Sequence, residues 1–199
     1  LEKLEAAFEK GMREAKETKV SGDRPAVWSV YNMGYVVKTR AALFSIDLVH
    51  RRAAEFAPLL DFALITHNHG DHFDNKVVNL FLDAGKTVCA PADYRPADSR
   101  ITHIKQDGLY RCTFRVGKND MQVTVFPGHQ DDLQNNVYVI TFPEGYKVAH
   151  LGDQTWEPSE LEWIATVREN EPGIDVMTLN GWTKGADLFV EGFSPKLVV

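Results

Sequence analysis

The sequence predicts a layered α/β fold with a large antiparallel component, and three observations carry that reading. Strands and helices alternate through the first half of the chain. Four closely spaced strands separated by short turns follow in the second half. No G-x-G-x-x-G follows any strand, which removes the dinucleotide-binding Rossmann sheet. The chain has 199 residues, 44% hydrophobic and 25% charged, enough for one domain with a sizeable core.

Taken in order, residues 1–19 read as an amphipathic helix. Leu1, Leu4, Phe8, Met12 and Ala15 recur at helical spacing with Glu and Lys between them. "SGDRP" breaks it, so 1–22 is assigned to an N-terminal helix and linker and 23–199 to the main domain. "AVWSVYNMGYVVKT" and "ALFSIDL" are apolar and β-branched enough for strands. "HRRAAEFAPLL" reads as a short helix, and the unbroken apolar run "DFALIT" as a strand buried on both faces. "DNKVVNLFLDAG" has helical periodicity and stops on Gly85; "KTVCAP" is a further short strand. Then come "LYRCTFRV", "MQVTVFP", "NVYVITF" and "YKVAHL", an antiparallel meander. A helix over 156–169, the strand "IDVMTLN" and the strand "KLVV" close the chain.

Composition narrows the function. A formal charge of −6, with no basic run, speaks against a nucleic-acid partner, because that affinity needs Lys and Arg to displace phosphate counterions. No apolar segment approaches the length that spans a bilayer, so no membrane partner is expected. Cys89 and Cys112 form no CxxC pair; Cys89 reads as a small buried strand residue, and a reduced, cytoplasmic setting is the default. The chain opens on Leu1 rather than Met, which leaves a removed leader segment open.

"THNHGDH", residues 66–72, holds three of the seven histidines in the chain. In an extended loop residues two apart face the same side, so His67 and His69 can converge, while Asp71 and His72 sit where the chain turns toward the next helix. Imidazole nitrogen and carboxylate oxygen suit Zn²⁺ and its transition-metal neighbours, with Mn or Fe as alternatives. The competing reading is a solvated polar loop. Its place at the end of a buried strand favours the metal, because four such side chains crowded there gain nothing without a cation.

HxHxDH after a buried strand resembles the signature of the metallo-β-lactamase superfamily, whose fold is a four-layer αββα sandwich with one or two metals at one edge. The resemblance extends along the chain. Asp47 in "FSIDL" matches an aspartate at an early strand end and implies a role orienting a ligand histidine. His129 in "FPGHQ" would complete a first metal site with His67 and His69. Asp153 in "HLGDQ" would bridge to a second site with Asp71 and His72, and Gln154 stands where many members have Thr. "SPKLVV" is similar to the run-up to a final ligand histidine, so the natural polypeptide is expected to continue past Val199 and supply it. Without that residue the second site is expected to be weak or empty, which keeps a site-impaired binding or structural protein of this fold as an alternative.

The remaining candidates carry plainer readings. His150, three residues before Asp153, is expected to point to the opposite face as a packed strand residue. His50, Asn180 and Trp182 are possible pocket residues. Glycine in "NMGY" reads as a close-packing residue or bulge. A metal-bound hydroxide near neutral pH, with Asp71 and Asp153 as catalytic carboxylates, implies a metallo-hydrolase of a small ester, lactone, amide or phosphorylated metabolite. Ascorbate-6-phosphate lactonase-like members are the nearest in sense. The expected partner is a small-molecule substrate, a homo-oligomer is left open, and a phosphodiesterase or nuclease is the other alternative. The meander argues against an amidohydrolase barrel, which needs about 250 residues of repeated strand–helix units.

Overall fold

The computed structural model describes residues 2–22, 24–155 and 160–199. The first helix, α1, runs Glu2–Glu17. Its spacing of Phe8, Met12 and Ala15 becomes a buried stripe, and Phe8 stacks on His50 with ring centroids 4.2 Å apart. Trp28 donates to Glu14 at 3.0 Å and Lys38 to the Ala15 carbonyl at 2.5 Å, so α1 packs on the domain. Leu1, and the side chain of Leu4, lie outside the described residues.

Six strands form the first sheet in sequential order: β1 (Ala26–Tyr31), β2 (Gly34–Lys38), β3 (Leu43–Ile46), β4 (Phe62–Leu64), β5 (Thr87–Pro91) and β6 (Thr102–Ile104). The first three are antiparallel and the last four, from β3 on, are parallel. Helix α2 (Asn75–Asp83) crosses between β4 and β5. Asp74 caps it by accepting from the Lys76 amide at 2.8 Å, and it buries Val77, Val78, Phe81 and Leu82. The helix expected over "HRRAAEFAPLL" shrinks to a 3₁₀ turn, Ala53–Glu55, with each bond reaching back three residues. Pro58 is the cause: it has no N–H to give and its ring crowds the carbonyl four residues earlier.

The second sheet orders β12-β11-β10-β9-β8-β7, with β7 (Tyr110–Val116), β8 (Asn119–Gln130), β9 (Leu133–Thr141), β10 (Lys147–His150), β11 (Val176–Thr178) and β12 (Leu197–Val198). The meander β7–β10 is antiparallel, and β10, β11 and β12 are parallel. Helix α3 spans Glu160–Asn170, while the expected start of that helix at 156–159 lies outside the described residues. A fourth helix, α4 (Ala186–Phe193), and strand β6 were not read from the sequence.

Alternation along the strands sorts the core into three layers. Val36, Ala63 and Val88 face α1 and α2 with Phe8, Phe56 and Phe81. Phe44, Phe62, Leu64 and Cys89 face Val123, Val125, Tyr138 and Ile140 between the sheets. Val137, Val139 and Met177 pack with Trp163, Phe189 and Phe193 beneath α3 and α4. The architecture is therefore helix, sheet, sheet, helix.

Candidate metal centre

Strand direction brings the chemistry to one edge. Asp47 follows β3, Thr66 and His67 follow β4, His150 ends β10, and Asn180 follows β11. Because β8 and β10 both run antiparallel to β9, His129 near the end of β8 comes to this same edge. The sheets are tied together there. The Asn136 amide donates to the Thr66 carbonyl at 2.7 Å, and Tyr138 Oη donates to the Ile65 carbonyl at 2.7 Å.

Asp47 is the hub. It is fully buried, its backbone is left-handed at φ 49°, and its own amide donates to the Leu64 carbonyl at 2.9 Å. Its Oδ1 accepts from the Thr66 amide at 2.7 Å, and Oδ2 accepts from Thr66 Oγ1 at 2.6 Å and faces His72 Nδ1 at 2.8 Å. His150 Nε2 reaches the same oxygen at 3.4 Å. Burial alone would raise this carboxyl, but the charge of His72 and the bonds from His150 and His72 hold it well below the usual carboxylate range.

Around this hub the histidine tautomers are fixed by proton counting. Thr66 has one hydroxyl proton, and Asp47, which only accepts, takes it. Thr66 Oγ1 must then accept from His67 Nδ1–H at 3.0 Å, which leaves a lone pair on His67 Nε2. Likewise Nδ1–H of His72 points at Asp47, so its Nε2 faces Asp153 Oδ2 at 3.2 Å. The other Asp153 oxygen accepts from Asn180 Nδ2 at 2.8 Å.

Ligand atoms of His67, His72 and Asp153 all lie within 4.8 Å of one another, and all three residues are buried. Tetrahedral donors at 2.0–2.1 Å from a zinc ion stand about 3.3 Å apart, so the 3.2 Å between His72 and Asp153 already fits ligation. The set also fits by charge. Burial works against a proton on His72, yet the charge of Asp47 and the hydrogen bond to Asp153 raise its pKa to about 10. Burial, then the charge of His72, pushes His67 down. Hydrogen bonds from His72 and Asn180 hold Asp153 low against its burial. His72 thus carries a proton on each ring nitrogen, one toward each carboxylate, and the proton between Nε2 and Asp153 is the one a divalent cation would replace.

The structure divides the expected ligands differently from the two sets read off the sequence. The mutually close group takes His67 from one and His72 and Asp153 from the other. His69 Nδ1 lies 3.1 Å from His67 Nε2, and the exposed Asp71 lies 3.9 Å from His72 Nε2. His129 is half-buried and pairs with Gln134 across β9.

Other candidates fall on either side of the site. Asn180 joins it. Trp182 is 53% exposed beside it, its amide 3.5 Å from Asn180 Oδ1. His50 does not line it: it stacks on Phe8, with Nε2 3.4 Å from Glu5, and holds α1 in place. His150 is corrected in the other direction. It touches Asp47, meets Thr178 Oγ1 at 2.6 Å and packs edge-on against Tyr35. Strand alternation failed to place it relative to Asp153 because β10 ends at His150 and Gly152 turns the chain at φ 62°. A side chain at Gly152 would also stand 2.5 Å from Asn135 Oδ1. Gln154 is fully buried and donates to the Leu151 carbonyl at 3.2 Å, away from the ligand set.

Three contributors had no strong sequence signal. Thr66 and Asn135 are ordinary residue types, and Asn32, whose Nδ2 donates to Asp71 at 3.0 Å, sits in the β1–β2 turn. Its left-handed backbone, φ 48°, was the available clue, since "NMG" between two strands calls for such a residue.

The sequence matches no protein-family model and no curated protein. Solved structures do resemble it. A candidate metal-dependent hydrolase from Parabacteroides distasonis aligns with a TM-score of 0.65 at 19% identity, over 87% of this chain and 80% of that one. CmlA, a diiron β-hydroxylase from Streptomyces venezuelae, aligns at 0.62 and 17% identity, over 90% of this chain but 45% of its own. A metallo-β-lactamase from Pontibacter korlensis aligns at 0.51 and 16% identity, over 80% and 87% of the two chains. Two six-stranded sheets between helical layers, matched over most of its length by such neighbours, give this chain the metallo-β-lactamase fold.

Proposed function

We propose that the chain is a metal-dependent hydrolase of a small ester, lactone, amide or phosphorylated molecule. The observation that carries this is the convergence of one ligand atom each from His67, His72 and Asp153 within 4.8 Å, each residue held from behind by Thr66, Asp47 or Asn180. His67, His72 and Asp153 would hold the ion, with His69, His129 and Asp71 beside them as the further ligands of a one- or two-metal centre. Zn²⁺ suits this nitrogen-rich set first, and Mn or Fe share its donors. A bound cation supplies acidity to a water and polarises the substrate's carbonyl or phosphoryl oxygen.

The chain's own groups do the rest. Asp47, through His72 directly and His67 by way of Thr66, fixes which ring nitrogens face the ion. Asn180 aims Asp153 and Asn32 steers the exposed Asp71; in this reading Asp71 would take or return the leaving group's proton. The test is metal content after chelation and reloading, together with turnover of an ester, lactone, amide and phosphodiester panel. Metal uptake with metal-dependent turnover of one class supports the reading. A folded protein that takes up no metal overturns it, and uptake without turnover favours a site-impaired binding protein.

A further inference from the structure

Among the described residues, two aromatic side chains are left largely exposed, Tyr31 at 41% and Trp182 at 53%. Each lies within two residues of an asparagine that holds a carboxylate of the candidate site. Tyr31 ends β1 next to Asn32, whose amide donates to Asp71 at 3.0 Å. Trp182 follows Asn180 by two residues, and Asn180 donates to Asp153 at 2.8 Å. Each carboxylate is therefore held by an asparagine from a loop that also presents an aromatic ring.

Both loops are anchored. A side chain at Gly34 would stand 2.7 Å from the Asp47 carbonyl, so the turn carrying Tyr31 is pressed against the hub of the site. A β-bulge between Ser29 and Tyr31 interrupts the β1–β2 pairing and sets Tyr31 directly opposite Gly34, at the base of the turn that carries Asn32. On the other side, the Thr183 amide donates to the Asn180 carbonyl at 3.0 Å and closes the turn that carries Trp182. Exposed aromatics on rigid, anchored loops are what a recognition surface uses, because they offer large contact area at low entropy cost.

Charge at this edge points to the kind of substrate. Asp71, Asp131 and Asp132 are exposed there, and the chain carries a formal charge of −6. Arg95 is the counterweight: its amide donates to Asn68 Oδ1 at 3.2 Å, within the histidine loop. One of its guanidinium nitrogens is already given to the Tyr94 carbonyl at 2.8 Å.

We propose that Trp182 and Tyr31 form an aromatic clamp at the mouth of the centre. They select neutral esters, lactones or amides that carry a flat aryl group beside the scissile bond. The substrate class rests on the hydrolase reading above; the clamp itself does not.

Two measurements separate them. Binding of 2-naphthol to the full chain, metal-loaded and chelated, is followed by calorimetry for wild type, Trp182→Ala, Tyr31→Ala and Trp182→Phe. Loss of each ring should weaken binding roughly three- to tenfold, and Trp182→Phe should restore most of it. Next, kcat/KM is compared for phenyl acetate, ethyl acetate and phenyl phosphate. Trp182→Ala should lower the phenyl acetate value through KM and leave ethyl acetate unchanged. Unchanged naphthol binding in both alanine variants would overturn the clamp. Faster turnover of phenyl phosphate than of phenyl acetate would overturn the neutral substrate class and make Arg95 the recognising group. Naphthol binding that depends on Trp182, with no turnover of any ester, would sink the hydrolase reading and leave the clamp standing.

Discussion

Thr66 has a single hydroxyl proton and two buried neighbours within 3.0 Å, Asp47 and His67. That shortage makes it the residue on which the tautomer of His67 depends. Replacing Thr66 by Val keeps its shape but removes both bonds, so His67 can turn its proton toward the metal. Thr66→Val should weaken metal affinity roughly 10- to 100-fold while the chain stays folded, and Thr66→Ser should recover most of the loss. Competition with a chromogenic chelator measures it; equal affinities for wild type and Thr66→Val would show that His67 is oriented by something else. The comparison also explains what could be read in advance. His67 and His72 announce themselves because ligand-type side chains crowd the end of a buried strand, whereas Asp47 and Asp153 were legible only through the resemblance to the metallo-β-lactamase signature. Thr66 and Asn135 do not announce themselves, because a hydroxyl or amide is placed without cost in many settings and gains meaning only from the atoms it meets.

At the level of elements, legibility followed length and periodicity. Helix α2 was readable because nine residues carry a stripe, a capping Asp74 and a stop at Gly85. Helix α4 has eight residues with a glycine in its last turn, and β6 has three residues, so both fall short of the window over which a periodic pattern stands out. Helix α1 was readable, but its partner was not, since one apolar stripe fits any apolar face. The partner is the segment after β3: Phe8 lies between His50, stacked at 4.2 Å, and Phe56, edge-on at 5.2 Å, with Arg52 over its ring at 5.2 Å. Phe8 is fully buried, so Phe8→Ala should cost about 3–5 kcal/mol in urea unfolding. Metal uptake by the folded fraction should be unchanged, because α1 packs on the far face of the first sheet from the inter-sheet core. Loss of metal in that variant below its unfolding transition would mean that α1 shapes the centre.

For the whole molecule, the buried charges at the sheet edge set how stability follows pH, and the bound ion should offset that dependence on the alkaline side. Without metal, His72 has its pKa raised to about 10, so its contribution is complete below the ordinary histidine value near 6.5. That contribution is lost as pH rises through about 10. His67 is shifted the other way, so protonation of the unfolded chain weakens the fold as pH falls below about 6.5. Asp47 and Asp153, both held low, add to the acid side: their contribution is present above about 3.9 and disappears as pH falls through their folded values. The chelated protein should therefore be most stable near pH 6.5 and decline in both directions. A cation must displace the proton from His72 Nε2, so its binding tightens as pH rises and offsets the alkaline decline. Thermal midpoints from about pH 5 to about pH 9.5, chelated and zinc-loaded, should nearly meet at the acid end and separate steadily above pH 6.5. Two parallel curves over the alkaline range would show that His72 does not carry the proton the metal has to replace.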